Sequence, residues 1–192
     1  MAIHKKVEGI SYTIKLLTPK LKGIGKHYQR LLDGLMENYI QFDSLHLGLK
    51  YMGYDKEYND AYMMQFIPEI KTIAKKYLPL DLSVKGIAGF WSSPKWKCKP
   101  VIFLKVLPNK KLQQLHDEIR EALGSRVDTF VLTEGKHYTP HITIGIGKPE
   151  FEAKLKGIAR KSQKDKQFDF VATKIAMRLN GDKLKVILKT NS

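Results

Sequence analysis

Two histidines, His46 and His141, sit in short stretches of one kind, His-Leu-Gly-Leu at 46–49 and His-Ile-Thr-Ile at 141–144. With an ordinary pKa near 6.5, imidazole can be a proton acceptor in one copy and a proton donor in another at the same near-neutral pH. A pair of them can therefore serve one reacting centre, one as base toward an attacking oxygen and one as acid toward a departing oxygen. Thr143, two residues past His141, adds a hydroxyl donor on the same side of an extended chain. Gly48 stands at the matching position of the first stretch, so a donor there has to come from elsewhere. The candidates are a closely approached Gly48 N–H, Lys50 or Ser44, the last two sharing the period of two with His46.

Both stretches alternate small or polar residues with Leu and Ile, the pattern of a strand with one packed and one open face. The rest of the chain supplies what such strands need. A first strand is expected at 10–17, with Tyr12, Ile14 and Leu16 on one side and Thr13 and Lys15 on the other. Apolar residues from Leu21 to Tyr39 recur at helical spacing and predict one helix, with His27 and Arg30 facing water. Asn59 or Asp60 can cap a helix that breaks near 67, because Pro68 fits only a first turn. Strands are expected at 82–90 and 99–107, joined by a loop holding Trp91, Trp96 and lysines. That composition suits base stacking and phosphate holding, and equally a hairpin whose tryptophans cover the core edge. A helix from Asn109 to Gly124 buries Leu112, Leu115, Ile119 and Leu123 and turns His116 to its polar side. After the second motif come a basic helix from 152 to about 161 and strands at 168–179 and 184–189 around Asn180-Gly181, a strong hairpin signal. The order is α+β and nearly repeats itself, each half holding one His strand.

The segments Leu45-His46-Leu47-Gly48-Leu49-Lys50-Tyr51-Met52-Gly53 and Tyr138-Thr139-Pro140-His141-Ile142-Thr143-Ile144-Gly145 resemble the two His-x-Thr-x motifs of the 2H phosphoesterase superfamily, in its 2'-5' RNA ligase and RNA 2',3'-cyclic phosphodiesterase branch. The stretches 86–90 and 99–106 are similar to the family's middle strands, and the pattern covers the chain from about 11 to 188. Gly48 departs from it, since the family has Thr or Ser there. The resemblance implies one domain over 1–192 with two lobes, two antiparallel sheets facing a central cleft, helices outside and a pseudo-two-fold. It also implies phosphodiester chemistry on RNA without a metal or other cofactor, with His46, His141 and Thr143 catalytic. Ser44, Gly48, Lys50, Phe90, Trp91, Trp96 and Tyr138 are the candidate substrate-binding residues. His137, four before His141, completes no metal pattern, because there is no His-Glu-x-x-His and Pro140 opposes a helix.

Charge points the same way. The 192 residues hold 34 Lys and Arg against 19 Asp and Glu, a net +15, with the larger excess after residue 96. Such a surface favours a polyanion, since phosphate neutralisation releases condensed counterions. Cys98 is the single cysteine, which leaves no internal disulfide and suits a reducing cytoplasm. Lys5, Lys6 and Glu8 interrupt any signal-like start, and no apolar run is long enough for a bilayer, so no membrane partner is expected. A monomer acting on RNA or an oligonucleotide is the expectation. Two other readings fit the same residues: an enzyme that degrades cyclic or 2'-5' oligonucleotide signals, and a catalytically weak RNA-binding module in which Gly48 has removed a donor.

Overall fold

The computed structural model describes residues 11–17, 21–41, 44–92, 99–129, 138–180 and 183–190. The strands are β1 (Ser11–Leu17), β2 (Met36–Tyr39), β3 (His46–Tyr54), β4 (Leu80–Phe90), β5 (Val101–Val106), β6 (His141–Gly147), β7 (Phe168–Ala172), β8 (Lys174–Arg178) and β9 (Leu184–Lys189). The helices are α1 (Lys22–Leu31), α2 (Asp60–Met64), α3 (Ile67–Ala74), α4 (Lys110–Leu123) and α5 (Glu152–Ser162). Every recorded strand pair is antiparallel, in the order β7-β4-β5-β6-β3-β1-β8-β9, with β2 on a second stretch of β6.

The two sheets expected from the sequence are two wings of one sheet. Between β3 and β6 the recorded pairing is a single residue pair, Leu47 with Ile142, so the wings join where the two motifs meet. They are tied a second time by the chain itself. Strand β7 pairs with β4 at one end of the order, and one residue later, past Thr173, β8 pairs with β1 in the other wing. The single strand expected at 168–179 is thus broken at Thr173 and divided between the wings. Strands β8 and β9 form the expected hairpin, although Gly181 of its turn lies outside the described residues.

Burial follows the alternation. Ile14, Leu16, Leu47, Leu104, Ile142 and Ile175 are each essentially inaccessible, and burying each such side chain contributes about 1.5–3 kcal/mol. Asn59 caps α2 by accepting from the Tyr62 N–H at 2.8 Å, and Asn109 caps α4 by accepting from Leu112 N–H at 2.9 Å. The helix expected across 21–39 stops at Leu31 instead. Gly34 turns the chain with φ 73°, and 36–39 leaves as β2 to pair with β6. The apolar residues Leu35 and Met36 still reach the core, which is why their spacing alone looked helical.

Candidate active site

The Leu47–Ile142 pair fixes the register of the two motifs. In an antiparallel pair it sets His46 opposite Thr143 and Gly48 opposite His141. Each histidine thus neighbours the third position of the other motif, and the two histidines are diagonal, a separation of about 7–8 Å for ordinary strands. Their rings are anchored alike. His46 Nδ1 donates to the Ser44 carbonyl at 2.9 Å, and His141 Nδ1 donates to the Thr139 carbonyl at 2.7 Å. A carbonyl only accepts, so both rings carry the Nδ1 proton and keep the Nε2 lone pair for other work. Both rings are half-buried.

The β4, β5 and β6 pairings put Ala88, Phe90, Phe103, Lys105, His141 and Thr143 on one face. Phe90 meets the His141 ring edge-on at 5.0 Å, and Phe103 lies 5.0 Å from it at a tilt. These aromatic walls hold the imidazole and dry its surroundings. In the other wing, β1 pairs Lys15 with Gly48 and Thr13 with Tyr51, while β8 pairs Arg178 with Thr13. His46, Gly48, Lys15 and Arg178 therefore share the facing surface. Burial first, then the Lys15 ammonium, push the His46 pKa down to about 4, with Arg178 and His141 adding to the effect against the Ser44 hydrogen bond. Burial lowers the His141 pKa as well, opposed by its Thr139 hydrogen bond. Both shifts favour the neutral imidazole in the free protein.

Lys50 does not join them. The β1–β3 register shifts between Ile14 and Lys15, so Lys50 pairs with Ile14 and not with a cleft-facing residue. This bulge turns Lys50 to the packed side, 2% exposed, where its ammonium donates to the Tyr51 carbonyl at 2.6 Å and the Asp128 carbonyl at 2.5 Å. Tyr51 takes the cleft side in its stead. Ser44 is exposed, and the part of it that touches the site is its backbone carbonyl under His46. Gly48 has open space where a Cβ would stand and no positive φ, so the position admits a side chain.

Tyr138 stands behind the first motif: its hydroxyl donates to the Gly48 carbonyl at 3.2 Å, and its ring stacks on His116 at 3.8 Å. His116 is fully buried and not on a polar face; its Nδ1 donates to the Leu49 carbonyl at 2.8 Å, at the bulge. Its position was readable, because 116 lies four after Leu112 and three before Ile119 on the apolar stripe of α4. Trp91 packs the outer end of its indole against Gly89, where any Cβ would come within 2.9 Å of the ring, and Lys156 lies 5.5 Å over the ring. Trp91 is half-buried and lines a groove between β4 and α5 with Lys105 and Arg160. Trp96, Cys98 and His137 lie outside the described residues. Sequence reasoning missed Lys15, Arg178, Phe103, Lys105 and Tyr51, whose signal is only their register opposite motif residues. Among the described residues, no three His, Cys, Asp or Glu side chains cluster to hold a metal ion, and no helix is long and apolar enough to cross a membrane.

A paired-histidine cleft in a two-winged antiparallel sheet defines the 2H phosphoesterase class. The family model of the 2'-5' RNA ligase superfamily matches residues 28–182, and the chain belongs to that superfamily. A curated relative from Geobacillus kaustophilus, named "Putative phosphoesterase GK0864", is 26% identical over 144 residues, 74% of this chain and 73% of its own. Among solved structures, TT0787 of Thermus thermophilus superposes with TM-score 0.61 at 14% identity, covering 94% of this chain and 96% of that one. LigT of E. coli complexed with ATP gives TM-score 0.53 at 13% identity over 93% and 94% of the two chains. The fold is shared at these identities.

Proposed function

We propose that this protein opens terminal 2',3'-cyclic phosphates of RNA to 2'-phosphates by acid–base catalysis from His46 and His141, without a metal. Water attacks phosphorus, the bond from phosphorus to O3' breaks, one imidazole Nε2 takes the water proton and the other gives its proton to O3'. The observation that carries this reading is the crossed register about Leu47 and Ile142, which sets two rings of identical tautomer diagonally across one cleft. Thr143 donates its hydroxyl to a non-bridging oxygen beside His46. Position 48 itself carries no hydroxyl, and Lys15, paired with Gly48 across β1, supplies positive charge there. A bound anionic phosphate stabilises the charged imidazole, which restores one protonated histidine at working pH. Cleavage of 2'-5' linkages is the same displacement with a ribose oxygen as leaving group. Complexes of LigT with ATP and 3'-AMP support a nucleotide as the ligand of such a cleft.

The test is an end-labelled RNA bearing a 2',3'-cyclic phosphate, incubated in EDTA with wild type, His46→Ala and His141→Ala. Conversion by wild type and a loss of about 10²–10⁴-fold in each variant is the expected outcome. Conversion that survives loss of either histidine removes the acid–base proposal, and wild-type conversion abolished by EDTA assigns the chemistry to a metal. Salt-sensitive RNA binding that neither substitution alters, with no turnover, identifies a binding module.

A further inference from the structure

A second recess opens beside the histidine cleft, at the edge of β4. Strand β7 pairs with β4 only as far as Val84, paired with Phe168. Beyond that, α5 closes the edge: the Ser162 hydroxyl accepts from Ile87 N–H at 2.9 Å, and Gln163 Nε2 donates to the Ile87 carbonyl at 2.8 Å. Gly86 permits this approach, since a Cβ there would come within 2.6 Å of the Ser162 carbonyl. Between the helix and the strands remains a groove of about 450 Å³, walled by Ala88, Trp91, Lys105, Lys156, Arg160 and Gln163.

The groove is basic and adjoins the strand that pairs with β6, where Lys105 donates to Gln163 at 3.4 Å. Lys105 is the cross-strand partner of His141 and lines the groove, so the groove begins one strand from the His141 position. From β6 to β4 is two strand spacings, about 10 Å, a distance on the scale of a neighbouring nucleotide. Lys105, Lys156 and Arg160 line it, and with Lys156 paired to Glu152 they bring a net two positive charges. The neighbouring carboxylate of Glu152 is bound by Lys156 at 2.6 Å and by Ser92 N–H at 3.0 Å, with the Ser92 hydroxyl also donating to it. Its negative charge is already engaged.

We propose that this groove is a second nucleotide subsite, which takes the phosphodiester preceding the reacting terminus, so that the substrate is an oligonucleotide and not a mononucleotide. The inference rests on the phosphodiesterase reading above and specifies its substrate. Lys105 and Arg160 hold the phosphate, and the strand passes from His141 over Phe90 toward α5.

The experiment compares a mononucleoside 2',3'-cyclic phosphate with a tetranucleotide carrying the same terminus, using wild type, Arg160→Glu and Arg160→Lys. The ratio of kcat/KM for tetranucleotide over mononucleotide should fall about tenfold or more in Arg160→Glu, through KM, and recover in Arg160→Lys. An equal change on both substrates, or a wild type that prefers the mononucleotide, overturns the proposal. Fluorescence anisotropy with an unreactive 3'-phosphorylated tetranucleotide separates the two readings. If neither substrate turns over, the phosphodiesterase reading fails, while binding weakened about tenfold by Arg160→Glu still supports the groove. Equal binding by wild type and Arg160→Glu overturns it.

Discussion

At the scale of single residues, the two histidines share a tautomer and differ in what surrounds them. Burial is the leading cause at both; Lys15 and Arg178 add to it at His46, while Phe90 and Phe103 pack against His141. On the acid–base mechanism proposed above, turnover needs one imidazole charged and one neutral. Below the lower pKa both are charged, and above the upper one both are neutral, so the values belong to the pair. Because His46 is pushed down to about 4 and His141 lies below its ordinary value, kcat/KM should peak on the acid side of neutrality and decline as pH rises through 7. Removing a positive charge with Lys15→Met raises the His46 pKa, so the acid limb of the pH–rate profile moves up. The same variant loses phosphate stabilisation, about 10–100-fold in kcat. The open space at Gly48 makes the complementary prediction: Gly48→Thr raises turnover, and most strongly in the Lys15→Met background. Single-turnover rates on the four proteins check this; a Thr that lowers the rate in both backgrounds shows that the glycine itself is required.

At the scale of elements, His46, His141 and their strands were legible because alternation is a local property of four or five residues. What was not legible depended on partners. The bulge that turns Lys50 inward is set by how β1 lies against β3, and no pattern within 46–54 announces it. The same holds for β2, whose apolar residues satisfy a helix until β6 offers a pairing edge and Gly34 a turn. His116 is a different case: its place on the α4 stripe was visible, but a histidine invites a polar assignment. Its job is to satisfy the Leu49 carbonyl, which the bulge removes from regular pairing, while Tyr138 holds the Gly48 carbonyl next to it. His116→Leu keeps the volume and leaves that carbonyl unpaired, which should cost about 1–3 kcal/mol in urea unfolding. A variant as stable as wild type would mean that the Leu49 carbonyl has another partner.

At the scale of the molecule, the excess of 15 positive charges has a consequence that no single contact carries. Binding of single-stranded RNA by such a surface should weaken by about 300-fold between 50 and 200 mM salt if six phosphates are engaged, and less for a short substrate. Titrations of a labelled single strand at several salt concentrations measure the slope; a flat response would mean that the charge serves solubility alone. The passage of the chain through Thr173 bears on something else. Until residues 174–189 exist, the wing that carries His46 has only β1 and β3 of its four strands, and its outer edge on β1 is unpaired. On a ribosome, the nascent polypeptide therefore displays His46 on an unfinished support for most of its synthesis. Arg178, which shares the facing surface with His46, arrives only with those last pairing strands, so that wall of the cleft is the final part of the site to be completed.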